Sequence, residues 1–176
     1  VGLVRLANIN PLIGVAIALI EAGAPEDHYI HVCVYHARFP LAQRSAIEHM
    51  LDQAFDRRLD AGNAFFRLAT IRAAIDGHDE RNHIFMVIAS PVCEVGRDWD
   101  ADWAIAEPSS MRSLIQLAGR VQRHRACPVD TPNIHILDRN LRAAKQQLGG
   151  PKPPEPFFIW PGFERKDASD SQQRSG

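Results

Sequence analysis

VIASPVCEVGRDWDADWAIAEPSSMRSLIQLAGRVQRHR, the run from Val87 to Arg125, decides how the rest of this chain is read. It contains an apolar strand ending at Ala89, a Gly96-Arg97-Asp98 turn, a second short apolar stretch from Trp103 to Ala106, and a helix bearing Q-x-x-G-R-x-x-R. The spacing predicts a helix that carries Gln116, Arg120 and Arg123 on one face, at i, i+4 and i+7. Leu114, Leu117, Ala118 and Val121 then fall on the opposite, packing side. Two arginines on a packed helix beside strand-end loops suit a phosphate chain better than an apolar ligand, because the guanidinium fork matches phosphate oxygens. Alone, such a helix reads equally well as a solvated basic face.

Working outward, strands and helices alternate. Val1–Ala7 reads as a strand. Asn10-Pro11 marks a helix start, with Asn as N-cap and Pro at the first helical position, and Leu12–Ala22 forms the helix, closed by Gly23. Tyr29–Tyr35 is a second strand. Pro40 opens a second helix that runs to about Arg58, with Ile47, Met50, Leu51, Ala54 and Phe55 on its core-facing stripe. Leu59–Asn82 is polar and weakly patterned, an insertion with one short helix near Thr70–Ile75. His83–Ala89 and Trp103–Ala106 are the third and fourth strands, and Ser109 or Ser110 caps the motif-bearing helix. Asn133–Leu137 is a fifth strand and Arg139–Leu148 a last helix. This alternation implies an α/β fold: a parallel sheet with helices on both faces. In such sheets ligands sit beyond the carboxyl ends of the strands, so the loops after Ala7, Tyr35, Ala89 and Ala106 share the edge where chemistry is expected.

The totals set bounds. A chain of 176 residues reads as one domain with a tail, large enough to bury a core. A hydrophobic content of 45% and a charged content of 23% are those of a soluble globular domain. The formal net charge is −1, so a nucleic-acid contact must come from a local patch. Lysine occurs only at Lys145, Lys152 and Lys166, leaving arginine as the main cation. Cys33, Cys93 and Cys127 are scattered, which argues against a disulfide framework and fits a reducing cytoplasm. No stretch reads as a signal peptide or a membrane span. The start at Val1, inside a strand-like run, reads as a fragment of a longer protein. Residues 1–148 are taken as the folded domain, 149–164 as a Pro/Gly-rich linker segment and 165–176 as a polar, disordered tail.

Other constellations carry less. Gly96 permits close backbone approach, and Asp98 can accept hydrogen bonds from a ribose hydroxyl. Asp98, Asp100 and Asp102 read otherwise as loop acids, since no Gly or closing Glu completes a calcium loop. His28, His31, Cys33 and His36 have metal-friendly side chains, but strand alternation sets His31 and Cys33 opposite to His28 and His36. His78-Asp79 is a lone dipeptide.

The strand, Ser90, Gly-x-Asp and then Q-x-x-G-R-x-x-R resemble motifs V and VI of superfamily 2 helicases, in order and at a suitable separation. The chain is more closely similar to the CRISPR-associated helicase–nuclease family of type I systems, above all its subtype I-F branch. GLVRLANINP (Gly2–Pro11), VYHARFPLAQR (Val34–Arg44), EVGRDWDAD (Glu94–Asp102), QLAGRVQRHR (Gln116–Arg125) and PFFIWPGFE (Pro156–Glu164) carry the resemblance. The departures are Ser90, where Thr is usual, and Arg97, where an apolar residue is common. The resemblance implies the second RecA-like domain of an ATP-driven single-stranded DNA translocase. Gln116, Arg120 and Arg123 would act on ATP; Gly96, Asp98 and Gly119 would contact the nucleotide. Ser90, Arg5, Asn8, His36 and Arg38 would line the single-strand track, where mixed donors at strand ends suit a phosphate backbone. Arg44 and His36 read, without the resemblance, as a surface residue and a packed strand-end residue.

Missing motifs matter as much. There is no G-x-x-x-x-G-K-[ST] and no Asp-Glu box, so ATP and Mg²⁺ would be held mainly by a first RecA-like domain outside this chain. The resemblance further implies an HD nuclease domain with a divalent metal. The implied partners are single-stranded DNA, the RNA-guided surveillance complex and the adaptation integrase, with no membrane. Two rivals remain at this point: a RecG-like repair translocase, and a non-catalytic interaction module.

Overall fold

Residue parity along the strands decides which helix each side chain meets. The computed structural model describes residues 1–58, 63–125, 128–141, 144, 158–159 and 163–164. Its sheet contains β1 (Gly2–Arg5), β2 (His28–Tyr35), β3 (Asn82–Ala89), β4 (Trp103–Ala106) and β5 (Ile134–Ile136). The spatial order is β2-β3-β1-β4-β5, and every neighbouring pair is parallel. Leu3, Val87, Ala89, Tyr35, Ala104 and Ala106 point to one face and join Leu51, Phe55, Trp99 and Leu117 in the larger core. Val4, Leu6 and Ile88 point to the other and pack with Leu12 and Ala16. The centre of the sheet is thus buried on both sides, as a parallel arrangement favours, while the edge strands β2 and β5 are only partly covered.

α1 (Ile9–Ala22) covers one face, while α2 (Leu41–Ala54) and α5 (Met111–Ala118) cover the other. α1 starts earlier than expected, with Asn8 rather than Asn10 at the cap. Pro11 is tolerated because the first intrahelical donor needed is the Leu12 N–H, which reaches the Asn8 carbonyl at 3.2 Å. Gly23 ends the helix at φ +70°, its N–H on the Leu19 carbonyl. Gly2 has a different role: a Cβ there would overlap the Trp103 ring on the neighbouring strand.

The 59–82 insertion departs from expectation. It holds two helices, α3 (Asn63–Arg67) and α4 (Ala69–Asp76), not one. Phe65 and Ile71 bury against Ala54 and Phe85, making a third apolar cluster that the polar composition of the insertion concealed. The expected last helix, Arg139–Leu148, lies mostly outside the described residues. So do the 149–164 segment and the tail, apart from a paired β6 (Phe158–Ile159) and β7 (Phe163–Glu164).

Parallel register sets the strand ends in line. Arg5 stands beside Ala89 and Ala106, Tyr35 beside Ala89, and Ala106 beside Ile136. The loops expected to share one edge do share it.

Candidate functional site

The motif-bearing helix is shorter than its spacing predicts. Ser110 caps α5 by accepting the Ser113 N–H at 3.2 Å, and the helix ends at Ala118. The Gly119 N–H closes on the Ile115 carbonyl, and the Arg120 N–H on that of Leu117. Gln122 then takes a left-handed conformation, φ +48°, and the chain doubles back along Asp98–Asp102. Ala101 donates to the Arg120 carbonyl at 2.8 Å, and Gln122 to the Ala101 carbonyl at 2.9 Å. The expected helical face carrying Gln116, Arg120 and Arg123 therefore does not extend to the arginines. A turn brings them together instead, because packing of Leu117 and the pairing of Val121 with Ala101 outweigh further helix.

Asp100 organises that turn. Its fully buried carboxylate accepts the Arg123 N–H at 3.2 Å, the His124 N–H at 3.0 Å and Arg125 Nη2 at 2.7 Å. A carboxylate removed from water needs this many donors. Arg123 Nε lies 2.9 Å from Asp98, which His124 Nε2 also reaches at 3.1 Å. The Gly-x-Asp turn and the Q-x-x-G-R-x-x-R segment are thereby one unit. Gly96 sits in that turn at φ +63°, and a Cβ there would meet nothing, so conformation and not crowding favours glycine. Arg97, the departure from the family pattern, pairs with Glu48 and Asp52 of α2 at 2.5 and 2.8 Å. Tyr35 donates to Glu48 at 2.6 Å, and burial, with that bond, pushes the phenol up to about 12.

Arg120 turns inward. Its Nη1 donates to the Gln116 carbonyl at 2.6 Å and its Nη2 to the Glu94 carbonyl at 2.5 Å, while Nε is buried without a hydrogen-bond partner among the described residues. Burial lowers its pKa from the ordinary arginine value. Gln116 is partly exposed, and Arg123 is 44% exposed.

Along the strand ends, one expected contact is corrected. Arg5 does not line an open track: it is fully buried. It is the last residue of β1, and its parity is that of Leu3, so it points under α5 and not out past the strand end. Its Nε lies 2.7 Å from Glu94 Oε1, Nη1 donates to the Glu107 carbonyl at 2.7 Å, and Nη2 donates to Ser109 at 2.9 Å and to Ser113. Arg38 is exposed and reaches Asn10 at 3.2 Å, linking the loop after β2 to the first turn of α1. His36 is 9% exposed, stacks on Phe39 at 4.2 Å and accepts the Arg38 N–H at 3.3 Å. Ser90 is buried after β3, its N–H on the Tyr35 carbonyl. Asn8 caps α1 through its backbone, and its side-chain nitrogen has no hydrogen-bond partner among the described residues.

Three polar residues were not singled out as site residues from the sequence. Glu94, at the end of the 3-10 turn Pro91–Glu94, accepts the Ser113 hydroxyl at 2.5 and 2.6 Å. Glu107, fully buried, accepts the Ala7 N–H at 2.6 Å and the Leu141 N–H at 2.8 Å. Asp100 is described above. The available signal was an acid next to a buried strand end, facing an in-strand arginine across the sheet. Among the described residues, no group of three or more His, Cys, Asp or Glu is placed to hold a metal ion, and no helix is long and apolar enough to cross a membrane.

Fold and site define an α/β domain of the RecA-like, parallel-sheet kind, and comparison with known proteins narrows this. The chain belongs to the family described as CRISPR-associated nuclease/helicase Cas3, C-terminal, whose profile matches residues 1–126. It is 51% identical over 166 residues to the Cas3 subtype I-F/YPEST nuclease/helicase of Pseudomonas aeruginosa, covering 94% of this chain and 15% of that protein. Against the Pectobacterium atrosepticum protein of the same description the identity is 48% over 171 residues, 96% of this chain and 15% of the relative. The chain therefore spans about 15% of the length of these relatives. Its fold is similar to that of T. fusca Cas3 with AMPPNP, at TM-score 0.57 and 21% identity over 77% of this chain and 14% of that one. It is also similar to a chain of a CRISPR RNA-guided surveillance complex in a pre-nicking state, at TM-score 0.51 and 20% identity over 77% and 14%. The family match sets aside the RecG-like reading.

Proposed function

We propose that this chain is the second RecA-like motor domain of an ATP-dependent single-stranded DNA translocase, coupled to a nuclease and acting in CRISPR interference. One observation carries the reading: Asp98 of the Gly-x-Asp turn holds Arg123 of the Q-x-x-G-R-x-x-R segment at 2.9 Å, so both motifs form one surface. Gln116, Arg120 and Arg123 complete a nucleotide site whose phosphate cradle and Mg²⁺ acids belong to the first RecA-like domain. The residues fit the group, since Arg120 Nε is buried and has no hydrogen-bond partner among the described residues, and Arg123 is half exposed. Arg120 keeps its Nη groups on the Gln116 and Glu94 carbonyls, and its Nε is the donor left for a charged phosphoryl oxygen. The guanidinium groups then stabilise charge developing on the transferred phosphoryl group. Gly96 and Gly119 allow backbone approach, and Asp98 faces the ribose.

The single strand runs over the adjacent β2, β3 and β1 ends. Arg38, Ser90 and Asn8 contact its phosphates, and His36 holds the Arg38 backbone from below. Closure and reopening of the cleft between the two RecA-like domains move the grip along the strand. Cutting falls to an HD nuclease domain with its own divalent metal. The partners are the RNA-guided surveillance complex and the adaptation integrase, in the cytoplasm. The names of the relatives and the AMPPNP complex of T. fusca Cas3 support this reading.

Arg120→Ala in the full-length protein tests it. Single-strand-stimulated ATP hydrolysis is expected to disappear while single-strand affinity persists; normal turnover in that variant would sink the assignment.

A further inference from the structure

We infer that Arg5 and Glu94 form a buried positioning pair that holds Arg120 in place for ATP hydrolysis, an inference that rests on the proposed role of Arg120. The Arg5 guanidinium ties three segments at once. Its own strand β1 supplies it, the 3-10 turn supplies Glu94 at 2.7 Å, and the start of α5 supplies Ser109 and Ser113. Ser113 in turn donates to Glu94. The same Glu94 presents its backbone carbonyl to Arg120 Nη2 at 2.5 Å. The height of that carbonyl above the sheet is thus set by a charge pair rooted in the central strand, and the start of α5 is pinned to the same pair.

Both side chains are almost completely out of water: Arg5 is fully buried, and Glu94 is 7% exposed. A solvent-exposed pair gains little from its geometry, but a desolvated pair tolerates few arrangements. Loss of the Glu94 charge leaves the Arg5 cation without its counter-ion and releases the turn. Loss of the fork at Arg5 frees Glu94, Ser109 and Ser113 from one another. Either change displaces the Glu94 carbonyl, and small misplacements of a group that stabilises a transition state cost turnover more than binding. Arg5 and Glu94 touch neither nucleotide nor DNA; they act through Arg120.

The test uses the full-length protein. ATP hydrolysis with single-stranded DNA, DNA affinity and thermal melting are measured for Glu94→Gln, Arg5→Lys and Ser113→Ala, together with Arg120→Ala and the Glu94→Gln/Arg120→Ala double variant. Glu94→Gln and Arg5→Lys are expected to lower kcat about tenfold, with KM for ATP and DNA affinity held within about twofold. In single-turnover assays the double variant should be no slower than Arg120→Ala, because both lesions remove one function. Ser113→Ala removes one hydroxyl and should show the same kcat-only loss at about threefold, which keeps the test open if a charge variant does not fold. Full turnover in Glu94→Gln or Ser113→Ala overturns the positioning role, as does a loss in the double variant equal to the product of the single losses. Normal turnover in Arg120→Ala defeats the assignment of function instead.

Discussion

Two arginines expected at the same nucleic-acid track end in opposite environments. Arg38 is exposed against Asn10, whereas Arg5 is sealed beneath α5 against Glu94. The difference is one of position relative to the strand end: Arg38 follows β2 by three residues, but Arg5 is the last residue of β1 itself. An arginine inside a strand obeys sheet parity; one in the following loop does not. Only Arg38 is therefore free to meet a phosphate. Arg38→Ala in the full-length protein is expected to weaken single-strand binding and to reduce the salt slope by about one, with nucleotide affinity unchanged. Titrations at several salt concentrations read this directly, and an unaltered slope would remove Arg38 from the track.

At the scale of elements, α5 shows how little of a motif needs to be helical. Eight residues are too few for an isolated helix to persist in water. Leu117 in the core and the cap at Ser110 hold it. Ser110→Ala should cost about 1 kcal/mol, the ordinary loss of an N-cap, and should appear as a lowered melting temperature with a normal KM for ATP. No change in melting would mean that Ser113 and Arg5 hold the helix start without the cap. The helical spacing of Gln116, Arg120 and Arg123 was legible, but the end of the helix was not. Gly119 alone does not stop a helix; the Asp100 carboxylate, which gathers donors from Arg123, His124 and Arg125, bends the chain back, and it lies on another element.

For the whole molecule, acid stability follows from a histidine cluster away from the site. His31 Nε2 lies 2.9 Å from His83 Nδ1, and its ring stacks on Phe85 at 4.3 Å. Burial, together with His83 and His78, lowers the His31 pKa from the ordinary value of 6.5. The unfolded chain then takes up its proton first as pH falls. This contribution to stability is complete above about 6.5 and is lost below it, until the folded state also protonates. Melting temperature is expected to fall on acidification from pH 7 to 5, and His31→Phe should flatten that limb. An unchanged slope in His31→Phe would place the acid sensitivity elsewhere.

From the sequence alone came the alternation of strands and helices, the shared carboxyl edge and the two motifs. These depend on local periodicity and on residue types that lie close together in the chain. Gly2 beside Trp103, the apolar cluster under the polar 59–82 insertion, and the Arg5–Glu94–Ser113 network were decided only by tertiary structure. Each joins residues far apart in the chain, and each depends on which strands become neighbours. Arg5 carries the same positive charge in either reading; only the packing of β1 beneath α5 determines whether that charge meets DNA or a buried carboxylate.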